Sequence, residues 1–352
     1  METIFKYKEK NWRDILSLSG KIPGELKRLF GFDKKGMKSV TSQYPMLINP
    51  YYFSLIKKKD DPIWIQCVPD IKEVQDCTGS RDPLFEEIQA PVPNLIHRYP
   101  DRVVFMVSDK CAMYCRFCMR KRRTGKGDGV TGDTVKEGIK YIRSKKSIKE
   151  VILSGGDPLL LEDEVLYKIL KQIRDIPHVE IIRIHTRIPC TLPQRITEKL
   201  SEIIKKFHPV YINIHFNHPD EITPESEEAC FKLVKAGIPL GSQTVLLKGV
   251  NDSSAVITRL MRKLIKIRVR PYYIHHTDPV MGTAHFRTSI KTGLEIISSL
   301  RGYISGMCVP HYMLDLPDGK GKVPLLPGYV KKNSEGRLII ANYKGKLIEY
   351  PQ

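Results

Sequence analysis

The feature that most constrains the fold is a regular alternation of short apolar segments with helical stretches from residue 103 onward. The β-branched segments predict strands at Val103–Val107, Glu150–Leu153, Glu180–His185, Val210–His215, Gly241–Leu247 and Val269–Ile274. The stretches that follow predict helices at Thr134–Ser144, Glu162–Arg174, Gln194–Lys206, Pro224–Ala236, Ser253–Ile267 and Ser289–Leu300. Several strands are apolar at successive positions, which is typical of parallel strands covered by helices. The pattern predicts an α/β fold with a partial parallel (β/α)6 barrel, whose chemistry should lie at the carboxyl ends of the strands.

The segments on either side of this alternation have a different sequence pattern. Residues 1–95 lack a strand pattern and are predicted to form a mostly helical wrapping region around a barrel core at 96–304. The remaining residues, 305–352, are predicted to contain a seventh strand at Met307–Leu314, a Gly- and Lys-rich loop at Pro317–Lys322, and a terminal hairpin at 335–350.

The charge balance bears on partners and location. The chain has 58 Lys and Arg against 39 Asp and Glu, a formal net charge of +19. This balance attracts nucleic acid, phosphorylated cofactors or an acidic protein, although a solvated basic surface explains it equally well. Basic runs are not interleaved with aromatic residues, which disfavours nucleic acid. No apolar run approaches the ~18–20 residues of a membrane span, and the N-terminus lacks the pattern of a secretory signal, so we expect a cytoplasmic protein.

Three of the eight cysteines lie close together, directly after the first predicted strand: Cys111, Cys115 and Cys118. In a cytoplasmic chain, clustered thiols are reduced and more often ligate metals or react than form disulfides. Three thiolates on a [4Fe–4S] cluster leave one iron open for a small molecule. Zinc is the alternative, but it favours four ligands and two-residue pair spacings. No fourth Cys or His lies nearby in the loop, and a distant fourth ligand stays open.

A glycine-containing turn directly follows the second predicted strand. It consists of Ser154, Gly155, Gly156 and Asp157. Glycines let backbone groups approach a ligand closely, and such a loop can offer hydrogen bonds to the head group of an amino acid. By itself, a Gly-Gly-Asp turn is common and indicates little.

Basic residues near both ends of the barrel are candidates for binding a phosphorylated cofactor. Arg98 and Arg102 precede the first strand and could place two guanidinium groups on one phosphate. Lys322, in the Gly-rich loop, can reach a cofactor aldehyde and form a Schiff base. Lys320 is a local alternative, and each of these residues could also be an ordinary surface cation.

The Cys-x3-Cys-x2-Cys spacing after the first strand of a βα array resembles the radical S-adenosylmethionine superfamily. The resemblance implies that Cys111, Cys115 and Cys118 hold a [4Fe–4S] cluster whose open iron chelates S-adenosylmethionine. One electron then cleaves that cofactor to methionine and a 5′-deoxyadenosyl radical. The turn at Ser154–Asp157 resembles the superfamily loop that binds the methionine part of S-adenosylmethionine.

Together these motifs resemble the lysine 2,3-aminomutase family, which uses both S-adenosylmethionine and pyridoxal phosphate. The resemblance covers about residues 45–350 and includes His97–Arg102, Cys111–Cys118, Leu153–Asp157, Asn213–Pro219, Gln243–Asn251, Arg268–Ile274 and Pro317–Pro324. It implies that Lys322 is the pyridoxal lysine and that Arg98 and Arg102 hold the pyridoxal phosphate group. By the same resemblance, His215 and Gln243 should lie near S-adenosylmethionine.

The resemblance also implies a substrate. Arg120 should pair with the substrate carboxylate, while Asp278 and Asp315 match the two carboxylates that hold the far amino group of L-lysine. A buried ammonium needs anionic partners, and two carboxylates select it over neutral or acidic side chains. A relative specific for glutamate should carry cationic or neutral residues at these two positions.

Some positions depart from the family pattern. The sequence ends at Gln352 without the family's cysteine-bearing zinc segment, which leaves open whether the chain forms a homo-oligomer. His275 stands where longer relatives carry a tyrosine near the pyridoxal ring, and Phe117 replaces a histidine. The histidine and the short form are more similar to the related enzyme that makes β-lysine for modifying elongation factor P.

The activity implied by the resemblance is the interconversion of L-lysine and β-lysine by a 2,3-amino shift. Alternatives are the same chemistry on glutamate or arginine, a supply of β-lysine for elongation factor P, a radical enzyme that modifies nucleic acid, and a non-catalytic zinc and nucleic-acid module. The excess of basic charge also suggests an acidic electron donor such as flavodoxin or ferredoxin.

Overall fold

A computed structural model describes residues 10–33, 35–127, 129–332 and 338–349. The part before the sheet contains the helices α1 (Trp12–Ser17), α2 (Ile22–Phe30), α3 (Lys38–Gln43), α4 (Pro50–Ser54), α5 (Pro62–Cys67) and α6 (Lys72–Gln75). Local sequence explains several of these starts, because Asn11, Asn49 and Asp61 accept hydrogen bonds from the first free backbone N–H groups of α1, α4 and α5. The described residues before the sheet thus contain helices, and the division of the chain into a wrapping region and a core stays a prediction.

The centre of the molecule is a nine-stranded sheet whose strands lie in chain order. They are β1 (Leu95–Tyr99), β2 (Arg102–Ser108), β3 (Glu150–Gly155), β4 (Ile181–Thr186), β5 (Val210–His215), β6 (Leu240–Val245), β7 (Val269–His275), β8 (His311–Asp315) and β9 (Lys322–Pro324). Strands β2 to β8 are parallel, and β1 and β9 pair antiparallel at the two edges. Because the edges do not pair with each other, the barrel is partial, as the sequence predicts.

Helices cover the outer face of this sheet. They are α7 (Gly132–Ser144), α8 (Asp163–Arg174), α9 (Ile188–Thr191), α10 (Glu198–Lys205), α11 (Pro224–Lys235), α12 (Ser254–Lys266) and α13 (Ile290–Leu300). Each long helix buries one apolar stripe, as Leu166 and Leu170 do in α8, against strands that carry buried residues such as Val151 and Leu153. None of the helices in the described ranges is long and apolar enough to cross a membrane.

Three details differ from the sequence prediction. The helix predicted at Gln194–Lys206 is wrong in its first turn, because Pro193–Arg195 forms a 3-10 turn. Thr197 then caps a new helix that begins at Glu198. The seventh strand is β8 rather than Met307–Leu314, since Gly306–Cys308 forms another 3-10 turn. The edge strand β1 is not foreseen in the sequence pattern, where its residues resemble an irregular lead into β2.

The C-terminal part adds a small antiparallel sheet of β10 (Val330–Lys332), β11 (Leu338–Ala341) and β12 (Leu347–Glu349). The strands β11 and β12 form the predicted hairpin, although residues 335–337 and 350 of that prediction lie outside the described residues. Before this sheet, the Gly- and Lys-rich loop leads into β9, where Lys322 pairs with Asp315 of β8. This register places Lys322, the first residue of β9, at the carboxyl end of β8.

Candidate functional site

A cavity of about 650 Å³ lies on the concave face of the sheet and opens among the carboxyl ends of the strands. Apart from the alternative lysine Lys320, every residue that the sequence singles out for a site role contributes to its wall: Arg98, Arg102, Cys111, Cys115, Cys118, Arg120, Ser154, Gly155, Gly156, Asp157, His215, Gln243, His275, Asp278, Asp315 and Lys322. The fold therefore brings these residues together, while the ligand that each would bind stays a prediction.

The cysteine loop follows β2 and is held in place by the N-terminal helical region. The side-chain amide of Asn49 donates to the carbonyl of Ala112 at 3.0 Å. The backbone N–H groups of Tyr114 and Arg116 donate to the carbonyls of Leu47 and Gln66, each at 2.9 Å. Residues far away in sequence thus fix the backbone between the cysteines.

A buried carboxylate adds to this attachment. Glu73 in α6 accepts hydrogen bonds from Arg116 Nε at 2.9 Å and from Lys121 Nζ at 2.5 Å. Burial opposes the charge of Glu73, but the two cations outweigh it and hold the pKa of Glu73 below its usual value. The cysteine loop is therefore tied to α6 through charges that are shielded from solvent.

The three thiols are close enough to affect one another's ionisation. Burial, and then the neighbouring Cys118, Asp157 and Cys115, raise the pKa of Cys111 well above its usual value. Burial also raises the pKa of Cys115, although the positive charge of the Arg187 guanidinium opposes this increase. A cationic iron–sulfur cluster would supply the charge that three neighbouring thiolates need, so the donor set fits such a group.

The arrangement of the described side chains does not favour a single metal ion. In the described part of the chain, no group of three or more His, Cys, Asp or Glu side chains is arranged to hold one ion. A four-iron cluster is larger than one ion and accepts thiolates that lie farther apart.

The turn after β3 packs directly on the cysteine loop. Gly155 has φ of +129°, and a Cβ atom there would collide with the carbonyl oxygen of Ser108. The N–H groups of Gly156 and Asp157 donate to the carbonyls of Ser108 and Lys110 at 2.6 and 2.7 Å. The two glycines are thus required for the close approach of this turn to the cysteine loop.

The carboxylate of Asp157 is hydrogen-bonded to other residues of the protein. Its carboxylate accepts hydrogen bonds from Thr186 Oγ1 at 2.7 Å, from the N–H of Arg187 at 2.7 Å and from the N–H of Leu159 at 3.1 Å. Burial raises its pKa to about 6. Its observed role is to connect the ends of β3 and β4, and its carboxylate is occupied by these hydrogen bonds within the protein.

Lys322 points into the cavity, whereas Lys320 points away. Lys322 Nζ lies 3.0 Å from Asp315 Oδ2 and 3.2 Å from His275 Nδ1. The Lys320 side chain is 71% exposed, pairs with Asp318 and is not among the residues that line the cavity. The geometry therefore favours Lys322 over its local alternative as the reactive amine.

Two carboxylates lie on the same side of the cavity as Lys322. Burial, and then the charge of Asp315, raise the pKa of Asp278 to about 7. Asp315 is neutralised by Lys322 and by Arg98, whose Nη1 lies 3.6 Å away. A further cation placed beside Asp278 would stabilise the charged form of this carboxyl group, which burial and Asp315 disfavour.

The two arginines predicted to bind phosphate both line the cavity, and different neighbouring residues hold each of them. Arg98 donates from Nε to Gln89 at 2.8 Å and from Nη2 to the carbonyl of Leu84 at 3.0 Å. The guanidinium of Arg102 lies over the Tyr99 ring, 4.0 Å from its centre. The hydroxyl oxygen of Tyr99 accepts the backbone N–H of Lys322 at 2.9 Å, so these residues and Lys322 belong to one structural unit.

Arg120 has a partner that the sequence does not reveal. Its Nε and Nη2 donate to the carboxylate of Glu86 at 3.0 and 2.8 Å, and its Nη1 donates to Ser154 Oγ at 3.1 Å. Against burial, Arg120 and Arg122 keep the pKa of Glu86 below its usual value. Glu86 fixes the orientation of Arg120 and leaves the Nη1 side facing the cavity.

Three histidines, on β4, β5 and β7, line the same cavity as Lys322. His215 Nε2 lies 3.2 Å from Gln243 Oε1, and burial lowers the pKa of His215 to about 4. Burial, together with neighbouring cations, lowers the pKa values of His185 and His275 well below the usual value. All three imidazoles are neutral near pH 7, and His185 is a cavity residue that the sequence pattern does not single out.

Comparison with known proteins identifies the family of this chain. A family model described as Radical SAM superfamily matches residues 105–261, and one described as Lysine-2,3-aminomutase matches residues 297–352. A protein named L-lysine 2,3-aminomutase from Clostridium subterminale is 47% identical over 324 residues, 91% of this chain and 78% of the relative. The protein of that name from Methanococcus maripaludis is 46% identical over 99% of this chain and 86% of its own length.

A third relative carries a different substrate in its name. The protein named glutamate 2,3-aminomutase from Clostridioides difficile is 46% identical over 90% of this chain and 76% of its own length. Membership of the radical S-adenosylmethionine superfamily implies S-adenosylmethionine and a [4Fe–4S] cluster. From the identity and coverage of these relatives, the chain is an isomerase that belongs to the lysine 2,3-aminomutase family of radical S-adenosylmethionine enzymes.

Proposed function

We propose that the chain interconverts L-lysine and β-lysine with the help of pyridoxal phosphate. The single observation that supports this best is the group formed by Lys322, Asp278 and Asp315 in the same cavity as the three cysteines. It combines an amine that can join a cofactor aldehyde with an anionic region that suits the far ammonium of lysine.

The anionic region also addresses the choice between lysine and glutamate. Overall identity does not separate them, because relatives named for each substrate are 47% and 46% identical to this chain. A glutamate side chain would bring a third negative charge beside Asp278 and Asp315, which disfavours its binding. The alternative substrate arginine is cationic, so only its length and shape distinguish it from lysine here.

Other residues would bind and orient the reacting groups. Arg98 and Arg102 would hold the phosphate, and Arg120 would use Nη1, which also donates to Ser154 Oγ, for the substrate carboxylate. Ser154 with the glycine backbone would bind the methionine part of S-adenosylmethionine, and His215 and Gln243 would contact the rest of it. When bound, pyridoxal phosphate supplies an aldehyde for the substrate amine and a π system that spreads an unpaired electron.

The test is anaerobic reconstitution with iron, sulfide and pyridoxal phosphate, followed by product analysis with lysine, glutamate and arginine in separate reactions. We expect β-lysine from lysine and at most traces from the other two. Production of β-glutamate at a comparable rate would refute the proposed substrate.

Lys322→Ala separates the pyridoxal site from the iron site. We expect this variant to lose both activity and the visible absorbance of bound pyridoxal, while iron and sulfide contents stay unchanged. Lys320→Ala is the matched control and should keep all of these properties. If the absorbance stays in the first variant and disappears in the second, Lys320 is the reactive lysine.

A second candidate role is the supply of β-lysine for elongation factor P. It is favoured by His275, which lies 3.2 Å from Lys322 Nζ where longer relatives carry a tyrosine. Under this proposal, β-lysine formed by the chain is transferred to elongation factor P when a β-lysine ligase is added. Accumulation of free β-lysine in the cell, without modified elongation factor P, would count against it.

We further propose an acidic one-electron donor, such as a flavodoxin or ferredoxin, as the protein partner. Residues 253–270 contain six Lys and Arg and no acidic residue. Four of these cations lie on α12 and line a surface cavity of about 530 Å³: Arg259, Arg262, Lys263 and Lys266. Immediately before α12, Leu247 and Val250 pack against Phe117, which lies between Cys115 and Cys118. The basic surface thus begins close to the cysteine loop.

This partner is tested by the rate at which a flavodoxin reduces the reconstituted protein. The rate should fall steeply with added salt and in an Arg259→Glu/Arg262→Glu variant. Lys136→Glu, on the exposed face of α7, is the control, and flavodoxin should reduce this variant at the rate of the unchanged protein. Reduction by dithionite should be unaffected in both, and a salt-independent rate with flavodoxin would contradict the proposal.

A further inference from the structure

Arg187, the residue directly after β4, contacts one of the three cysteines. Its side chain is 9% exposed, and its Nη1 lies 2.9 Å from Cys115 Sγ. Its guanidinium carbon lies 5.3 Å from the centre of the Phe117 ring and 5.5 Å from that of the Tyr52 ring. A permanently charged group therefore donates to a sulfur atom in a water-poor environment.

The rest of the guanidinium is fixed by the protein. Its Nη2 donates to Gln66 Oε1 and Glu221 Oε1, each at 2.6 Å, and lies 3.2 Å from the Tyr52 hydroxyl oxygen. Glu221 is fully buried, and its second oxygen accepts the N–H groups of Asn217 and His218 at 2.6 and 3.0 Å. The arginine thus cannot move away from Cys115 without breaking a buried ion pair.

A purely structural role would explain only half of this geometry. Nη2 alone makes the ion pair with Glu221, whereas Nη1 is directed at sulfur. Hydrogen bonds and charges at cluster sulfurs shift the reduction potential, because the reduced cluster carries one more negative charge than the oxidised cluster. A buried cation stabilises that extra charge more strongly than a solvated one would.

We propose that Arg187 raises the reduction potential of the cluster through its hydrogen bond to Cys115. The inference rests on the proposed cluster at Cys111, Cys115 and Cys118. In the reduction step the cluster gains one electron from an external one-electron reductant, no covalent bond forms or breaks, and the guanidinium keeps its proton. A cluster with a higher reduction potential can be reduced by a weaker one-electron reductant before it transfers the electron to S-adenosylmethionine.

The test is a redox titration of the reconstituted full-length protein, followed by electron paramagnetic resonance without S-adenosylmethionine or substrate. Omitting both is necessary because Arg187 Nε is buried and lacks a hydrogen-bond partner among the described residues, so a cofactor carboxylate could also contact it. Arg187→Gln/Glu221→Gln removes the ion pair as a whole and avoids an uncompensated buried charge. Glu221→Gln is the matched control that keeps Arg187.

At a fixed potential, we expect the ratio of reduced to oxidised cluster in the double variant to be about tenfold lower than in Glu221→Gln, a shift of about 59 mV for a one-electron couple. Glu221→Gln alone should shift the ratio the other way from the unchanged protein, since it removes a negative charge. Equal ratios in the double variant and its control would overturn the role of Arg187, as would a lower ratio in Glu221→Gln.

A measurement on the unchanged protein remains informative even if the variants assemble poorly. With arginine labelled by ¹⁵N, the reduced cluster should show a nitrogen coupling in pulsed resonance spectra, and its absence would refute the hydrogen bond. Absence of iron and sulfide from the unchanged protein would instead refute the proposed cluster. An intact cluster whose potential in the double variant equals that in Glu221→Gln refutes only the role of Arg187.

Discussion

The carboxyl group of Asp278 lies where a charged substrate would control its protonation. Burial, and then Asp315, raise its pKa to about 7, so the empty site holds a proton there through most of the acidic range. This raised pKa contributes stability below the ordinary pKa of 3.8, and the contribution is lost as the pH rises through about 7. The ammonium group of lysine would reverse the preference, because it stabilises the charged carboxylate.

We therefore expect the affinity for lysine to increase as the pH rises through about 7, and lysine binding near pH 6.5 to release a fraction of a proton. Asp278→Asn should remove this pH dependence and weaken binding by about 2 kcal/mol, roughly thirtyfold. Calorimetric titration in two buffers of different ionisation enthalpy measures both effects. Asp318→Asn, at an exposed position nearby, should behave as the unchanged protein does. Proton release that persists in Asp278→Asn would assign it to another group.

Single residues also show what the sequence could not provide. The cysteines, Lys322 and the two carboxylates are predictable because their chemistry is distinctive or matches a family motif. Their partners are ordinary acids and cations, such as Glu86, which lies 34 positions from Arg120 in the chain. The only local signal is the basic run at residues 120–123, which needs acidic neighbours if it is buried.

At the scale of elements, the parallel strands were predictable because each one carries its own apolar pattern. The strand β9 was not, because its pairing with β8 depends on contacts between segments and not on its own composition. A loop rich in glycine and lysine indicates flexibility, whereas the register of Asp315 opposite Lys322 directs the lysine into the cavity. The family resemblance thus proposes Lys322 as the reactive residue, whereas its position in the cavity depends on the pairing of β8 with β9.

Two glycines of α7 differ in how closely their backbone packs against the sheet. Gly138 is buried, and a Cβ atom there would collide with the Phe105 ring of β2, whereas a Cβ atom at Gly132 would meet nothing within 4 Å. Replacing glycine by alanine favours a helix by up to about 1 kcal/mol, but overpacking costs about 1–3 kcal/mol. We expect Gly138→Ala to be destabilised and Gly132→Ala to be neutral or stabilised in denaturant unfolding. Equal effects would show that α7 shifts freely over β2.

At the scale of the whole molecule, the N-terminal helical region and the barrel depend on each other at the cysteine loop. The helix α6 provides Glu73, and the loop provides Arg116 and Lys121, whose side chains are 2% and 4% exposed. The sequence predicts a wrapping region but gives no reason for it. The structure provides one, since the loop that would carry the cluster takes much of its support from residues before the barrel.

This dependence predicts that Glu73→Gln weakens both the fold and the iron site. The substitution leaves two buried cations facing a neutral amide, which should cost about 3–5 kcal/mol of the free energy of unfolding. Because the pKa of Glu73 is lowered, the stability it provides in the unchanged protein should be lost as the pH falls through that lowered value. Glu162→Gln, which removes an exposed pair with Arg13, is the control and should change stability by no more than about 0.5 kcal/mol. Unfolding curves, with iron and sulfide contents after reconstitution, measure the two effects together. A Glu73→Gln protein with normal stability and a full iron content would mean that the barrel holds the cysteine loop without the N-terminal region.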